Sequence, residues 1–458
     1  MHFLIHLVAR AAISILTTLS FSAPGNTASV RDAVALAIQN NPQILEAAAN
    51  RRAVDEELNQ GRGLYLPRLD LEASAGFAYN HRPTAGVNQD SRWGDSGGLV
   101  ARQTLFDGGY RQAEVEKQSA RVVGAAIRVR ERSELIAIET LQSYIDVSRF
   151  NRILRLSEEN IRIHRDLVAL VQTRTQGGAS TQGEAYLARE RLFAAEAIRA
   201  DIKRTLGLAE ARYINLVGVR HTNLELVPKP NTLPGARDTA IRKARDNNPT
   251  LHAADKDVAA ARADFTQSEA AFRPNVALEG RGAAGHDLNG IKGPNNDASA
   301  KLVMSWNLFN GHIDQARRRE KAERLAEVES RLDRLRRDVD EGIMRAWSDI
   351  QTNDERVSVL DRQIDAGKRL TVAYRQEFDG GRRSMLDLLE AQNVHFNAQI
   401  QRITASSLAL YSRYQLIAVM GGLLEHFRLA TNVETEEDLR PWTRDAHDRP
   451  SMHPLLRR

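Results

Sequence analysis

The stretch Leu105-Phe106-Asp107-Gly108 returns in the second half of the chain as Leu308-Phe309-Asn310-Gly311. The pair Gly177-Gly178 returns at the same offset as Gly380-Gly381. Landmarks that keep their register over about 200 residues indicate a tandem duplication, in which each copy is a supersecondary unit that packs against the other. The sequence therefore predicts two pseudo-equivalent halves.

The composition favours helices and narrows the classes of function. Of 458 residues, 42% are hydrophobic, 27% are charged and only 5% are aromatic, which is typical of long helices. The chain has no cysteine, so a disulfide, a thiolate metal site and a lipid-modified cysteine are excluded. The net charge is +5, but acidic and basic residues interleave along the helical segments, which indicates solvated helix faces and no nucleic-acid partner.

The N-terminal segment differs from everything after it. Residues 4–8 and 11–21 are mostly apolar, and small residues follow at Ser22, Ala23 and Ala28. This pattern predicts a secretory signal peptide, with a short N-terminal anchor as the alternative. We expect the chain to divide into a signal peptide at 1–28, a first repeat at 29–218, a linker at 219–236, a second repeat at 237–424 and a polar tail at 425–458.

Each half contains two segments with the period of a β-strand. Residues 69–79 alternate apolar side chains with polar or small ones, and residues 276–281 begin the same pattern in the second half. The second strand of each half is expected at 96–106 and at 299–309, after polar loops at 81–95 and 286–297. The apolar face of the last strand is expected to carry Leu302, Met304, Trp306 and Leu308.

The remaining segments have the period of helices. Residues 110–176 and 312–379 contain no proline and repeat apolar positions at three- and four-residue steps, which predicts coiled-coil-like helices spanning roughly 100 Å each. A helix at 30–63, starting at the capping sequence from Ser29 to Asp32, is expected to break at Asn41-Pro42. That helix and a helix at 181–218 together match the length of one long helix. Each half is therefore an elongated rod.

The strands require more than one chain. A membrane-spanning barrel must close, because an open edge would leave unpaired backbone groups in hydrocarbon, and the smallest such barrels have about eight strands. The predicted fold is mainly α with a membrane β-barrel: two tandem pseudo-repeats, long coiled-coil-like helices that pack side by side into a tube below the barrel, and four strands per chain in a shared barrel. The alternative is a coiled-coil scaffold without transport activity, which would explain neither the signal peptide nor the strands.

A resemblance to a known family rests on the repeat and on the segment Gly381-Arg-Arg-Ser-Met-Leu-Asp-Leu-Leu-Glu-Ala-Gln. The sequence from residue 30 to about 424 resembles the TolC family of outer-membrane export ducts. The resemblance implies a homotrimer with a twelve-stranded barrel in outer-membrane lipid and a periplasmic helical tunnel. It also implies a periplasmic adaptor protein and an inner-membrane transporter, either ABC-type or proton-driven. The tail from residue 428 has no counterpart, and we expect a poorly ordered periplasmic extension.

Two carboxylates follow the Gly-Gly turns at equivalent positions. Glu184 stands three residues after Thr181, and Asp387 stands three residues after Ser384, which is the spacing of a capping box. The resemblance implies in addition that Asp387 and Glu390 line a constriction in the lumen and that Arg383 helps to hold it shut by pairing. Because Asp387 and Glu390 are three residues apart, they share one helix face. The periplasmic gate is thus assigned to Asp387, Glu390, Arg383 and Glu184, with helix capping as the alternative for Glu184 and Asp387.

The turns themselves are candidate docking sites. Their glycines are expected at left-handed positions that end a helix. The resemblance implies that the same turns meet the adaptor, at Gly177, Gly178, Ser180, Gly380, Gly381 and Ser384. No catalytic, cofactor or metal-ligand pattern is recognisable, so we expect no enzyme activity and no cofactor.

The cargo is a separate question. The cysteine-free N-terminus and sequences such as Gly63-Leu-Tyr-Leu-Pro favour type I protein secretion over the alternative, the outer-membrane component of a multidrug efflux pump. A passive porin or an adhesin-like surface protein would need longer loops between strands than this sequence offers.

Overall fold

The computed structural model describes residues 27–82, 87–221, 223–231, 233–287, 292–430 and 432–440. The expected signal peptide therefore lies almost entirely outside the described residues, as does the end of the tail.

The two halves have the same order of elements. The first half consists of β1 (Thr27–Ala28), α1 (Val30–Asn40), α2 (Pro42–Gly63), β2 (Arg68–Arg82), β3 (Val87–Phe106), α3 (Tyr110–Gln176) and α4 (Gln182–Val217). The second consists of β4 (Asn223–Leu224), α5 (Arg237–Asn247), α6 (Pro249–Glu269), β5 (Asn275–His286), β6 (Pro294–Ser305), α7 (Ile313–Asp379) and α8 (Met385–Val419). A short helix, α9 (Leu423–His426), follows, and the single-turn 3-10 helices Ala270–Phe272 and Val433–Thr435 complete the described chain.

The break between the first two helices of each half arises from an Asn-Pro pair. The Asn41 side chain caps α2 by accepting a bond from the Gln43 backbone N–H at 3.0 Å, and Asn248 caps α6 in the same way through Thr250 at 2.9 Å. The proline that follows fits the first helical position, because its missing N–H has no partner there. The Asn248 amide also donates to the Val419 carbonyl at 2.8 Å, so the cap ties α6 to the end of α8.

The four long strands form one antiparallel sheet in the order β2-β3-β5-β6. Strand β3 begins at Val87, well before the expected start at residue 96, and β6 covers Pro294–Ser305, so Trp306 and Leu308 lie beyond it. Much of the two expected loops is therefore strand. The reason is that backbone pairing with β2 and β5 continues through polar residues, since ladder hydrogen bonds do not depend on an apolar pattern.

The helices form a layer that continues from the sheet. Near the sheet, α3 packs between α2 and α6, and α7 packs against α6; at the far end, α3 packs against α4 and α8, and α8 packs against α7. Each 67-residue helix is thus flanked by two shorter helices stacked end to end. Within the described ranges, no helix has an apolar stretch long enough to cross a bilayer.

The main apolar core lies where the two halves meet, midway along the long helices. It contains the fully buried Val34, Ile136, Tyr144, Ile343 and Tyr414. Ring stacking of Phe427 on Tyr414, at 5.7 Å between centroids, joins the end of α9 to this core.

The described part of the tail is ordered against α2, so the expectation of a poorly ordered extension is wrong for residues 432–440. Glu434 is only 6% exposed and pairs with Arg52 at 3.2 Å and with Arg440 at 2.6 Å. Arg51, fully buried, pairs with Asp55 and lies 3.6 Å from Glu434. A buried charge without a partner of opposite sign is strongly destabilising, so these ion pairs hold residues 432–440 against α2.

Candidate gate and docking turns

The two Gly-Gly turns are near-identical helix ends. Gly178 and Gly381 have φ values of 73° and 71°, in the left-handed region that favours glycine. Gly177 and Gly380 have φ values of −84° and −82°, so the expectation that all four glycines are left-handed is wrong for these two. Gly177 and Gly380 directly follow their helices, and each donates its backbone N–H to a carbonyl of the last helical turn.

Each turn closes with one bond that spans it. The N–H of Ala179 donates to the Arg174 carbonyl at 2.7 Å, and the N–H of Arg382 donates to the Glu377 carbonyl at 2.9 Å. This is the bond pattern with which helices end at a left-handed glycine. The turns are therefore determined locally, and their tips remain exposed.

Glu184 forms a complete capping box at the start of α4. Its carboxylate accepts from the Thr181 backbone N–H at 3.1 Å and from the Ser180 hydroxyl at 2.6 Å, while the Thr181 hydroxyl accepts from the Glu184 N–H at 3.3 Å. The Ser180 hydroxyl and the Thr181 N–H lower the pKa of Glu184, because both stabilise the ionised form. Within the chain, Glu184 therefore caps the start of α4.

Asp387 starts α8 in a different way. The Ser384 hydroxyl accepts from the Asp387 backbone N–H at 3.2 Å, which caps the helix through the serine alone. The Asp387 carboxylate lies 3.7 Å from the Arg383 guanidinium instead. An aspartate side chain is one methylene shorter than a glutamate, so the carboxylate that Glu184 uses for capping is available here for another contact.

Arg383 is held by three neighbours. It donates to Glu377 at 2.9 Å, lies 3.7 Å from Asp387 and places its guanidinium 4.2 Å from the centre of the Tyr374 ring. The bond to Glu377 raises the pKa of Arg383, which is positively charged at any physiological pH. Asp387 and Arg383, which the sequence assigns to one gate, are thus in contact.

Glu390 lies one helical turn beyond Asp387 and is exposed. Among the described residues, it has no hydrogen bond or ion pair. A carboxylate with no intramolecular role on an exposed face is free for a contact outside this chain.

Arg174 is a residue of this site that the sequence did not reveal. It extends from the end of α3 and donates to the carbonyls of Phe378 and Asp379 at 3.1 and 3.0 Å, while its guanidinium lies 4.9 Å from the Phe378 ring centre. The bond from Arg174 gives the Asp379 carbonyl a donor at the helix end, and the Phe378 carbonyl, which also accepts from the Gly381 N–H, gains a second donor. A basic residue in a last turn predicts an interaction with its own helix end, and the sequence has no signal that Arg174 reaches across to α7.

A small apolar cluster lies beneath both turns and holds them together. Phe378, Met385 and Leu388 are almost completely buried there against Leu167 and Val171 of α3. The two hairpin tips of the chain therefore form one unit. In the described residues, no group of three or more acidic or histidine side chains is close enough to hold a metal ion.

At the opposite end of the chain, the sheet exposes one apolar face. The strand register places cross-strand pairs such as Phe77 with Trp93 and Leu278 with Leu302 on this face. Its exposed large apolar side chains are Leu69, Leu71, Phe77, Tyr79, Trp93, Leu99, Leu278, Leu302 and Met304. The opposite face is polar and includes the pair Arg102–Glu279 at 3.2 Å.

Comparisons with known proteins agree with this architecture. A family model described as outer membrane efflux protein matches residues 33–219 and 240–422, one match in each half. The chain is 25% identical over 398 residues to the outer membrane efflux protein BepC of Brucella suis biovar 1, covering 85% of this chain and 84% of BepC. It is 23% identical over 409 residues to the alkaline protease secretion protein AprF of Pseudomonas aeruginosa, covering 84% of this chain and 83% of AprF. A crystal structure of CusC has a TM-score of 0.76 with 17% identity, covering 85% of this chain and 91% of CusC.

Proposed function

Because the chain belongs to the outer membrane efflux protein family, we propose that three copies form the exit duct of a tripartite export system. The chain is an outer-membrane protein whose helical portion lies in the periplasm. In this proposal the duct works with a periplasmic adaptor and an inner-membrane transporter, and it catalyses no reaction itself.

The sheet is the observation that carries the proposal. Its outward face exposes Leu71, Phe77 and Leu302 at 77%, 66% and 68%, which suits lipid and not water. In the described chain, β2 and β6 each pair with a strand on one side only. An open edge is not tolerated in hydrocarbon, so these edges need partners, and other copies of the chain offer matching ones. Four strands are too few for a barrel, whereas three copies supply twelve.

The gate follows from the same symmetry. With three copies around one axis, the hairpin tips at the ends of α3 and α7 converge at the periplasmic mouth. Asp387 and Glu390 then form two acidic rings, which attract cations. Arg383 bridges Glu377 and Asp387 and holds each tip in its closed shape. Glu184 contributes by fixing the neighbouring turn.

The turns serve as docking sites for the adaptor. The exposed tips present small residues, Gly177, Gly178, Ser180, Gly380, Gly381 and Ser384. A β-carbon placed on Gly178 or Gly381 would meet no atom of this chain within 4 Å, so both positions face open space into which a partner helix tip can fit.

We assign the duct to type I protein secretion, with multidrug efflux as the alternative. None of the 458 residues is a cysteine that could carry a lipid, which favours the secretion branch. Relatives of both kinds have similar identity, and AprF is described as an alkaline protease secretion protein while BepC is described as an efflux protein. Deletion of the gene in its host, with measurement of both the extracellular proteome and drug susceptibility, separates the two functions.

In that experiment, loss of defined extracellular proteins with unchanged drug susceptibility supports secretion. Normal extracellular proteins with increased susceptibility support efflux. A plasmid copy of the wild-type gene is the control that must restore either defect, and a deletion strain that is normal in both assays contradicts both assignments.

A further inference from the structure

A cavity of about 280 Å³ lies midway along the helical layer. Its walls come from α3, α7 and α8, and residues 226–229 of the segment that joins the two halves form its roof. The cavity is far from the gate and from the sheet, and the export function uses none of its residues.

The roof is held in place by two buried tyrosines. The Tyr144 hydroxyl lies 2.7 Å from the Ala28 carbonyl and 2.9 Å from the Glu225 carbonyl, and its one proton is shared between these two acceptors. The Tyr414 hydroxyl donates to the Pro228 carbonyl at 2.9 Å. Both rings are fully buried, so their positions are fixed by packing. The joining segment is therefore pinned on each side of the cavity, which makes the cavity a formed feature and not a loose gap.

The charge of the cavity is strongly unbalanced. Its lining contains four cations, Arg152, Lys229, Arg402 and Arg413, and one carboxylate, Asp354. Arg413 already pairs with Asp354, and Arg402 pairs with Asp361 at 2.9 Å. Among the described residues, Arg152 and Lys229 have no hydrogen bond or ion pair at all.

Among these cations, the charge of Arg152 is the least stabilised by its surroundings. It is half-buried, and both its burial and the nearby cations Arg402 and Arg155 lower its pKa. An arginine has five N–H donors, and those of the half-buried Arg152 have no protein acceptor among the described residues. An anion placed in the cavity would supply these acceptors and would offset the repulsion between Arg152 and Arg402.

The rest of the lining combines apolar side chains with three serines, Ser148, Ser406 and Ser407. Ile145, Val227, Val357 and Leu410 surround the charged groups, and Leu226 is 81% exposed at the edge of the roof. Ligand sites combine such an apolar lining with a few placed polar groups, and 280 Å³ is close to the lower end of their usual volume range.

We propose that this cavity binds a small oxyanion, a carboxylate or a phosphate, that is attached to a short apolar group. Arg152 and Arg402 bind the oxyanion, since a guanidinium matches both carboxylate and phosphate oxygens with paired N–H donors. Lys229 adds charge at the entrance, and the apolar group packs against Val227 and Leu410. Through the roof, the ligand contacts the segment that joins the two halves.

The test is calorimetric titration of the detergent-solubilised full chain with hexyl phosphate, hexanoate and inorganic phosphate. We expect saturable binding of hexyl phosphate or hexanoate, at one site per chain, and weaker binding of inorganic phosphate because it lacks the apolar group. The stronger of the two hexyl probes identifies whether the natural ligand carries a phosphate or a carboxylate. Absence of saturable binding by both hexyl probes would overturn the proposal.

Variants locate the binding in this cavity. Arg152→Gln should weaken the binding about tenfold, as expected for the loss of a charge-assisted hydrogen bond. The substitution should leave the stability of the fold unchanged, because the Arg152 side chain has no hydrogen-bond or ion-pair partner among the described residues. Arg162→Gln removes the same charge from an exposed position roughly 15 Å further along α3 and should bind like the wild type. Ser148→Asp places a carboxylate beside Arg152 and should abolish binding. Equal affinity in the wild type and in the Arg152 and Ser148 variants would contradict the proposal.

Discussion

The Arg174 guanidinium lies 3.0 Å from the carbonyl oxygen of Asp379, so one hairpin tip of the chain caps the helix end of the other. The two residues belong to different halves, at the ends of α3 and α7. In the proposed gate, opening requires the tips to move, and we expect this bond to make the two tips of one chain move together.

Loss of Arg174 should loosen the tips without unfolding the chain. Arg174→Ala removes both bonds to α7, and we expect local opening of residues 374–384 to become easier by about 1–2 kcal/mol, since the bonds are charge-assisted but partly solvated. Hydrogen exchange with mass spectrometry measures this opening peptide by peptide.

The matched control is Arg165→Ala on the same helix. Arg165 pairs with Glu196 at 2.9 Å on an exposed surface, where ion pairs contribute little. Equally slow exchange of residues 374–384 in the two variants would show that the bonds from Arg174 to α7 do not stabilise the tips.

Charge and capping at the start of α8 can be separated, because Ser384 alone provides the cap. The double variant Asp387→Asn, Glu390→Gln should lose its cation preference in planar-bilayer conductance and keep its melting temperature. Ser384→Ala should cost about 1 kcal/mol of stability and keep the cation preference. Arg383→Ser should raise conductance, because it releases Glu377 and Asp387. A double variant that remains cation-selective would reject the gate assignment.

The two glycines of one turn should respond differently to alanine. Gly381→Ala forces a β-carbon into a left-handed conformation, at a cost of about 1–2 kcal/mol. Gly380→Ala has an ordinary φ of −82° and would meet its nearest neighbour at 3.5 Å, so it should melt like the wild type. If the turn docks the adaptor, Gly380→Ala should still reduce adaptor binding, which a surface-binding assay measures. Unchanged adaptor binding by a stable Gly380→Ala duct would remove this position from the docking site.

Glu134 should make stability depend on pH. Burial raises the pKa of its carboxyl to about 7, although the carboxylate accepts from the Leu423 and Leu424 N–H groups at the start of α9. The folded chain therefore keeps a proton that the unfolded chain releases near pH 4.5. As the pH rises from 4.5 to about 7, the folded state loses stability, by up to about 3 kcal/mol.

Glu134→Gln has no proton to lose and should remove this dependence. Thermal unfolding at pH 5 and at pH 8 should show a larger decrease for the wild type than for Glu134→Gln, and the difference between the two proteins isolates the contribution of this residue. Parallel pH profiles would mean that Glu134 has an ordinary pKa in the folded chain.

Local sequence patterns predicted the helices well. The expected long helices at 110–176 and 312–379 agree with Tyr110–Gln176 and Ile313–Asp379, because proline-free apolar periodicity and a terminal glycine are signals contained in the segment itself. The early part of β3, from Val87 to Asp95, was missed because no apolar alternation marks it, although its pairing partners lie in the adjoining strand β2 of the same hairpin.

Long-range contacts between charged groups were also missed. The bond from Arg174 to α7 and the packing of Glu434 against Arg51 and Arg52 join residues that are hundreds of positions apart or in different halves. A charged residue has many possible partners in a chain with 27% charged residues, so only the packed helices determine which one it meets. The juxtaposition of Arg383 and Asp387 was predictable because both belong to one turn.

In the proposed duct, three chains complete one membrane barrel through the open edges of β2 and β6. Native mass spectrometry of the detergent-extracted protein measures how many chains assemble. We expect a single species at three times the monomer mass, whose sheet content is lost when the trimer is dissociated. A folded monomer that keeps its sheet in detergent would show that the strands need no partner chain.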